Sequence, residues 1–492
     1  MATTIYWHDY EAFGADPRRD RASQFAGLRT DEQLNVIGDP LVIYCRPSPD
    51  MLPHPEACRL TGITPQLARE QGERESVFMA AIHEEMSRPG TCSAGYNSIR
   101  FDDELTRQLL YRNLLDPYER EWKNGNSRWD IIDMLRLCHA LRPEGIEWPL
   151  REDGAPSFRL EALTAANGIG HEEAHDALSD VKATIAMAAL VRRVQPKLYE
   201  YVFNLRRKRA VQAQIDTVGR KPFLHVSGMY GAENGAIAPV MPLAPHPVDA
   251  NGIIVCDLRE DPAQWMDLDA DTLRQRLFTR REDRPEGQTP VPLKVLHINR
   301  CPVIAPVNAL EEPQARRFGI DMKTCRRHWD TLLARDDLLA ILSGVYAPRE
   351  SGEGGRPVST DPDFMLYAGG FFSAADKSQM QTIRQLPPES LADRHFDFQD
   401  PRLPEMLFRY RARNFPDTLT EQEQTQWRAF CAGRLQRGED EEGACPPLAA
   451  FDEIMGNLEK ETLSDSPEHR IHRALSDWRT EVCQFAGLTG KQ

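Results

Sequence analysis

The pattern of hydrophobic and polar positions over residues 1–195 predicts alternating strands and helices. A β-branched and aromatic run at Thr3–Trp7 predicts a strand, and Asn35–Cys45 predicts two further strands around a Gly-Asp-Pro turn. Helical spacing of apolar residues predicts a helix at Phe78–Met86 and a longer one at Ala174–Val194. This succession indicates a layered α/β domain.

The pattern changes after residue 195. Residues 196–348 predict a mainly β or α+β module, because short apolar runs alternate there with turns rich in Pro and Gly. The strand-like runs are Phe223–Val226, Gly252–Cys256 and Lys294–Ile298. Residues 349–363 are rich in Gly, Pro, Ser and charge and predict an exposed linker. Residues 364–492 show helical patterns and no convincing strand.

Length and composition narrow the class of protein. A chain of 492 residues has room for about three domains. Its 41% hydrophobic and 27% charged residues exclude wholesale disorder and coiled coil. The longest apolar run, Ile185–Val191, is far shorter than the roughly 20 residues of a membrane span. Scattered cysteines without a CxxC pair, and a start without a secretion signal, predict reduced thiols and a cytoplasmic location.

The charge is unevenly distributed. The balance of 60 basic and 75 acidic residues gives −15, which by itself disfavours nucleic-acid binding. Residues 205–224 nevertheless contain six basic residues against the single Asp216. Within them, Arg206–Arg209 forms either a channel for phosphates or the solvated face of a linker helix.

Asp9 and Glu11 form the first group with chemical potential. On a strand, positions i and i+2 point to the same face, so the two carboxylates project together. They repel each other unless a cation lies between them, and Mg²⁺ or Mn²⁺ suits oxygen ligands. The alternative is a solvated strand edge with alternating polar residues.

Asp102 stands at the predicted start of a helix, after a turn that contains Asn97 and Phe101. Acidic residues at this position commonly cap a helix and interact with its dipole. Taken alone, Asp102 is therefore as well explained by capping as by catalysis.

His175 and Asp180 open the longest predicted helix. Their five-residue spacing does not form a same-face metal clamp. It suits a division of work in which Asp180 binds metal and His175 acts as a base near neutral pH. The alternative is an ordinary helix start.

The three groups together predict more than each does alone. Four carboxylates and one histidine are the side chains needed for phosphodiester hydrolysis with two metal ions. One ion would generate the attacking hydroxide and the other would stabilise the leaving 3′-oxygen, while the histidine takes a proton from the water.

These motifs resemble the His-containing branch of the DEDD exonuclease superfamily. The strings WHDYEAFG, GYNSIRFDDELTR, SFRLEALTAANGI and AHDALSDVKATIAMA are similar to the bacterial exonuclease I family in particular. The similarity continues through HVSGMYGA, VLHINRCPV, LYAGGFFS and LFRYRARNFP, so it covers nearly the whole chain. The segment QRGEDEEGACPP, residues 436–447, and the tail beyond it depart more.

The resemblance implies a fold and an activity. It implies a ribonuclease H-like exonuclease domain over 1–195, an SH3-like domain over 196–348, a linker over 349–363 and a helical domain over 364–492. The implied activity is 3′→5′ degradation of single-stranded DNA to 5′-mononucleotides, in DNA repair, recombination and mismatch repair. The implied cofactor is Mg²⁺, as two ions, with Mn²⁺ as a substitute.

The resemblance also implies roles for particular residues. Asp9, Glu11 and Asp180 match the metal ligands, Asp102 the fourth catalytic carboxylate and His175 the general base. Substrate binding is expected at two positions, Glu11 and Arg159, the second contacting the 3′-terminal nucleotide. A surface salt bridge is the alternative for Arg159.

Basic and aromatic residues that alternate along a segment are typical of single-strand binding. The DNA contacts expected on this ground are Arg107, Tyr118, Trp122, Arg136 and Lys208. Tyr111 and Trp129 fit DNA contact and a hydrophobic core equally well. Tyr367, Phe371 and Phe372 are either stacking residues or core.

The family is recruited by single-stranded DNA-binding protein through that partner's acidic, hydrophobic tail. Arg142 and Lys221 are the basic residues predicted to meet such a tail. A monomer without membrane attachment is expected. Two other functions stay open: an exoribonuclease of the same superfamily, and a nucleic-acid-binding scaffold with a vestigial site.

Overall fold

The computed structural model describes residues 3–171, 176–280, 282–335, 337–347, 359–438, 443–461 and 466–488. The strands are β1 (Thr4–Ala12), β2 (Ala22–Thr30), β3 (Val36–Tyr44), β4 (Thr91–Gly95), β5 (Ser127–Asp130), β6 (Phe223–Val226), β7 (Ile237–Pro245), β8 (Gly252–Asp257), β9 (Leu293–His297) and β10 (Ile304–Pro306). The α-helices are α1 (Pro55–Thr61), α2 (Pro65–Gln71), α3 (Glu75–Ser87), α4 (Asp102–Arg112), α5 (Ile132–Leu141), α6 (Leu160–Ala166), α7 (Ala177–Val194), α8 (Pro196–Leu205), α9 (Lys208–Gln212), α10 (Ala270–Phe278), α11 (Glu312–Arg317), α12 (Met322–Leu333), α13 (Leu338–Tyr346), α14 (Ala374–Gln385), α15 (Leu403–Asn414), α16 (Glu421–Gln436), α17 (Leu448–Glu461) and α18 (Pro467–Phe485).

The chain divides into two compact units. The first contains residues 1–127, 172–182 and 357–492, and the second contains residues 128–171 and 183–356. Strand β5 and helix α7 each continue from one unit into the other. The first unit therefore combines both ends of the chain.

The first unit contains a mixed sheet in which four strands run in the order β3-β2-β1-β4. Strand β1 pairs antiparallel with β2 and parallel with β4. Helices α3 and α4 pack on this sheet, where Phe78, Ile82 and Leu109 of the helices form one core with Tyr6 and Phe25 of the strands. The layered α/β arrangement and the helix predicted over Phe78–Met86 are confirmed.

Strand β3 corrects the prediction of two strands around a turn at Asn35–Cys45. The segment is one strand, and its pairing with β2 shifts between Gly27 and Arg29. Gly38 has a φ of 77°, which fits a β-bulge within one strand better than a hairpin between two strands. Pro40 is tolerated because β3 is the last strand on its side of the sheet and is largely exposed.

Helices α14–α18 form the C-terminal part of the first unit, and the described residues from 359 onward include no strand. With residues of α1, α2 and α4 they form two apolar cores, one around Trp427, Phe451 and Trp478 and another around Met380 and Tyr410. The helical prediction for this part is confirmed.

The predicted linker is only partly described, since residues 348–358 lie outside the described residues. The expectation of exposure is wrong for its end, because Asp361 is 8% and Asp363 is 3% exposed. Arginine side chains cover both carboxylates.

The second unit contains an antiparallel sheet in the order β10-β6-β7-β8-β9. Strands β6, β8 and β9 lie where the sequence predicted strands. Residues of this sheet, including Val240 of β7, Val255 of β8 and Leu296 of β9, form one core with Leu205 and Val211.

All ten cysteines are free thiols. Among the described helices, none has the length and apolar character required to cross a lipid bilayer.

Candidate active site

Strand β1 carries Asp9 and Glu11 near its carboxyl end. The two residues are two positions apart and therefore share a face of the sheet. Their neighbours on β2 are Ala26 and Gln24. Because β4 runs parallel to β1, the segment that follows β4 emerges at the same edge of the sheet.

The turn after β4 delivers Asp102 to that edge. A Cβ atom on Gly95 would lie 2.7 Å from Ser98 Cβ and 3.0 Å from the His8 carbonyl oxygen, so the close approach requires glycine. Asn97 adopts a positive φ of 57°. Helix α4 then begins at Asp102, whose Oδ1 accepts a hydrogen bond of 3.1 Å from the Tyr10 amide. Asp102 is thus fixed against β1.

The start of α7 positions Asp180. Asp176 caps this helix, because its Oδ1 accepts from the Ser179 amide at 3.0 Å and its carbonyl accepts from the Asp180 amide at 3.0 Å. The Ala177 amide donates to Oε1 of Gln24 at 3.4 Å. Gln24 lies opposite Glu11 on β2, so the β1–β2 pair positions Glu11 and also contacts the helix start that carries Asp180.

Asp9, Glu11 and Asp180 converge. Each offers one carboxylate oxygen, and these oxygens lie within 4.8 Å of one another. Burial, followed by the charges of Asp102 and Glu11, raises the pKa of Asp9 well above its usual range. Burial, followed by the charges of Asp180 and Asp102, raises the pKa of Glu11 to about 8. The carboxylates therefore repel one another in the absence of a cation.

This donor set fits a divalent cation. It consists of carboxylate oxygens, which are the ligands preferred by hard ions such as Mg²⁺ and Mn²⁺. A doubly charged ion among them would offset the repulsion that raises the pKa of Asp9 and Glu11. An imidazole or thiolate set would indicate a different metal.

The structure brings together the three predicted metal ligands and places Asp102 close enough to raise the pKa of two of them. His175 lies outside the described residues. Sequence reasoning missed Asp176, whose charge also raises the pKa of Asp9 and Glu11. The available signal was an aspartate three residues before Ser179, which is a helix-capping pattern, but the helix was predicted to begin at Ala174.

Three of the expected DNA contacts lie in the first unit. Trp122 is 64% exposed, whereas Tyr118 is half-buried. Arg107 is mostly buried, and its Nε and Nη2 donate to the two carboxylate oxygens of Glu121 at 2.7 and 3.0 Å. The Arg107 guanidinium also lies 5.6 Å from the centre of the Tyr118 ring. A DNA contact by Arg107 would therefore compete with an existing ion pair.

The remaining expected DNA and substrate contacts lie in the second unit. Arg159 is exposed and precedes α6. Lys208 is exposed and its Nζ donates to Asn251 at 2.6 Å. Arg136 donates to Asp133 at 2.6 Å and lies over the Phe158 ring.

The basic cluster at 206–209 is not uniformly solvated. Arg206 is buried, and its guanidinium lies 3.5 Å from the centre of the Phe203 ring, so this residue is wrongly grouped with solvent-facing cations. Arg207, Lys208 and Arg209 are exposed.

The two predicted partner contacts are both accessible. Arg142 lies 3.4 Å from Glu311, and Lys221 lies 3.5 Å from Asp216. Their side chains are 41% and 74% exposed.

The aromatic residues that the sequence left as either DNA contacts or core residues divide between core and surface. Tyr111 and Trp129 are each 1% exposed and belong to hydrophobic cores. Phe372 stacks on Tyr111, whereas Phe371 is 85% and Tyr367 is 50% exposed. The hydroxyl of Tyr367 donates to Glu104 at 2.5 Å.

Family models match three consecutive parts of the chain. Residues 6–188 match the family described as Exonuclease, residues 206–348 match Exonuclease I SH3-like domain, and residues 360–482 match Exonuclease I C-terminal domain. Exodeoxyribonuclease I of Haemophilus influenzae is 47% identical over 88% of this chain and 91% of its own length.

The solved structures that resemble this chain are also exonuclease I structures. A moderately thermophilic exonuclease I from Methylocaldum szegediense is 49% identical, with a TM-score of 0.92 over 98% of this chain and 99% of its own. A zinc-bound complex of Escherichia coli exonuclease I with single-stranded DNA is 43% identical, with a TM-score of 0.91 over 98% and 100%. A structure of SSB and exonuclease I with an inhibitor is 42% identical, with a TM-score of 0.88 over the same shares. Taken with the acidic site, these similarities show that the chain belongs to the exodeoxyribonuclease I family of enzymes.

Proposed function

We propose that this chain degrades single-stranded DNA from its 3′ end and releases 5′-mononucleotides, in DNA repair, recombination and mismatch repair. The convergence of Asp9, Glu11 and Asp180 within 4.8 Å carries the proposal. The relatives support it, because they are exodeoxyribonucleases and one was solved with single-stranded DNA.

Asp9, Glu11 and Asp180 would hold the metal, and Asp102 would complete the acidic set. Two Mg²⁺ ions, or Mn²⁺ in their place, would supply activation of the attacking water and charge stabilisation at the leaving 3′-oxygen. The hydrogen bond from the Tyr10 amide orients Asp102, and the cap by Asp176 orients the turn that carries Asp180. The fold thus prepares the carboxylates before a cation binds.

His175 is the proposed general base. An imidazole with an ordinary pKa near 6.5 is largely neutral at physiological pH and can take the proton from the attacking water. Arg159, exposed ahead of α6, is proposed to contact the 3′-terminal nucleotide, and Glu11 to contribute to substrate binding as well as to the metal site.

The strand is proposed to contact Arg107, Tyr118 and Trp122 of the first unit and Arg136 and Lys208 of the second. Aromatic surfaces bind bases of any sequence by stacking, and cations follow the phosphates. The 64% exposure of Trp122 makes it the most accessible platform among these residues.

Three domains are proposed: an exonuclease domain over 1–195, an SH3-like domain over 196–348 and, after a linker over 349–363, a helical domain over 364–492. The ranges matched by the three family models support this division. We further propose that the protein acts as a monomer.

Single-stranded DNA-binding protein is the proposed protein partner, on the support of the solved structure that contains SSB and exonuclease I. The exposed Arg142 and Lys221 are proposed to meet its acidic tail. Replacement of both by Glu should weaken recruitment and leave activity on bare oligonucleotides intact. Equal loss in the two assays would contradict the assignment.

Digestion of a 5′-labelled DNA oligonucleotide with Mg²⁺ tests the proposed activity, beside its RNA counterpart, a blunt duplex and a 3′-phosphorylated strand. We expect a ladder that shortens from the 3′ end on single-stranded DNA only, and none with Asp180→Ala. Strong RNA degradation would favour the exoribonuclease alternative. Tight binding without cleavage in Mg²⁺ or Mn²⁺ would favour a scaffold.

A further inference from the structure

A cavity of about 360 Å³ lies within the first unit, and its lining includes none of the residues of the acidic cluster. Its walls include the segment after β3 (residues 45–49), Arg69 of α2 and the start of α3. They also include the end of α15 and the residues just after it, Pro416 and Asp417. Its volume is within the range of small-molecule sites, which are roughly 300–1,000 Å³.

Positive charge dominates the cavity wall. Five arginines line it, against two carboxylates. The arginines are Arg21, Arg46, Arg69, Arg74 and Arg413, and the carboxylates are Glu75 and Asp417. Arg69 and Arg413 are already held in ion pairs, by Glu481 and by Asp50 with Asp363. Arg21 shares Asp50 with Arg413, so the excess comes mainly from Arg46 and Arg74.

Arg21 is the buried member of this group, with 6% of its surface exposed. Its Nη2 donates to Asp50 at 3.3 Å. Within the described part of the chain, its buried Nη1 has no hydrogen-bond partner, since Oε2 of Glu75 lies 3.9 Å away. The buried Oγ of Ser48, on the same cavity wall, also lacks a partner among the described residues.

Glu75 neutralises Arg21 only in part, because the same carboxylate also pairs with Arg112. Arg112 Nη2 donates to it at 3.1 Å and Asn113 Nδ2 at 3.0 Å. Burial, followed by the nearby guanidinium groups of Arg112 and Arg413, lowers the pKa of Arg21 to about 9. An anion beside Arg21 would satisfy the free N–H group and offset this accumulation of positive charge.

We propose that this cavity binds a phosphate group, either as inorganic phosphate or as the 5′-phosphate of a mononucleotide. Guanidinium groups match the geometry of phosphate oxygens, and Ser48 supplies a further hydroxyl donor. Pro47, Pro49 and Phe485 on the same wall provide apolar surface for a base. The mononucleotide source rests on the proposed function, whereas the inorganic source does not.

Isothermal titration calorimetry of the full chain tests the proposal, in EDTA and a phosphate-free buffer of constant chloride concentration. The probes are inorganic phosphate, dAMP and deoxyadenosine. We expect one saturable site for phosphate or dAMP and at least tenfold weaker binding of deoxyadenosine. Binding of dAMP tenfold tighter than of phosphate would identify the mononucleotide as the ligand, and equal affinities would identify phosphate alone.

Two variants locate the site. Arg21→Lys keeps a charge beside Asp50 but removes Nη1, and should weaken binding at least tenfold. Arg74→Ala changes an exposed residue on the cavity wall and should weaken binding several-fold, which keeps the test decisive if Arg21→Lys fails to fold. Arg428→Ala, an exposed arginine outside the cavity wall, is the matched control and should leave the affinity unchanged.

The proposal is overturned if neither phosphate nor dAMP binds, if deoxyadenosine binds as tightly as dAMP, or if Arg74→Ala and the control give the same affinity. EDTA keeps divalent ions out of the acidic cluster during these titrations. Loss of phosphate binding therefore concerns the cavity alone. Loss of DNA cleavage by the unmodified chain in Mg²⁺ would concern the proposed function alone.

Discussion

The acidic cluster around Asp9 and the arginine network around Asp363 lie in the same unit and differ in how their charges are balanced. In the first, the neighbours that raise the pKa of Asp9 are all carboxylates. In the second, Arg413 Nη2 donates to Asp363 at 2.5 Å and Arg434 Nη1 donates to it at 2.7 Å. Burial alone would raise the pKa of Asp363, but these guanidinium groups outweigh it and hold the pKa well below its usual range.

This difference in charge balance indicates that the Asp9 cluster binds a ligand and that the Asp363 network stabilises the fold. Opposite charges buried together satisfy each other, and the Asp363 network joins the segment before α14 to α15 and α16. Like charges buried together destabilise the fold, and such arrangements concentrate where a ligand of the other sign is bound. The Asp9 cluster is therefore expected to matter for activity and the Asp363 network for stability.

Asp9→Asn should show the largest effect, on activity. It removes a metal ligand while keeping the shape of the side chain, so DNA cleavage in Mg²⁺ should fall about 10³-fold or more, roughly 4 kcal/mol in transition-state stabilisation. Initial rates on a labelled single strand measure it. Asp39→Asn, the same change at an exposed position of β3, should keep the full rate. More than a tenth of the activity in Asp9→Asn would contradict the assignment.

Asp363→Asn should show the second largest effect, on stability. It leaves Arg413 and Arg434 buried without their carboxylate, which should lower the free energy of unfolding by about 3–5 kcal/mol. Urea denaturation measures the change, and Asp39→Asn should stay within about 0.5 kcal/mol of the unmodified chain. A loss below about 1 kcal/mol would show that the network is not structural.

The stability lost in Asp363→Asn should also depend on pH, by less than the loss itself and with a sign that the pKa of Asp363 fixes. The folded-state pKa of Asp363 lies below the ordinary value of 3.8, so its ion pairs contribute fully above that value. Their contribution is lost as the pH falls below about 4, because the unfolded chain then binds a proton that the folded chain does not. The difference between the unmodified chain and Asp363→Asn should be constant from about pH 5 to 8 and narrow below about pH 4. A difference that widens in acid would contradict the assigned direction.

The sequence predicted the acidic cluster better than the arginine network, for a physical reason. Asp9 and Glu11 share a face because of strand geometry, and an aspartate such as Asp180 in the first turn of a helix is evident from local pattern. The pairing of Asp363 with Arg413 and Arg434 spans 50 and 71 residues, and its link to Asp50 through Arg413 spans 363. Local composition instead assigned Asp363 to an exposed linker.

In the fold, as in the two clusters, local features were predicted and long-range ones were not. Strands β6, β8 and β9 follow from short apolar runs bounded by turns, and helix α3 follows from helical spacing of apolar residues. Strand β2 is buried along its whole length and was not predicted, because its buried polar residues Ser23, Gln24 and Arg29 interrupt any apolar run. The irregularity at Gly38 in β3 was taken for a turn, since pairing to β2 decides between the two and is a property of the sheet.

The most direct test of the central claim is a Mg²⁺ titration of the free energy of unfolding, for the unmodified chain and Asp9→Asn, at pH 7.5. In EDTA the variant should be the more stable of the two, because one of the repelling acidic groups is gone. At Mg²⁺ concentrations about 100 times the dissociation constant, the unmodified chain should gain about 2.7 kcal/mol and the variant much less, which reverses their order. Equal gains for the two proteins would contradict the conclusion that the cluster is a metal site.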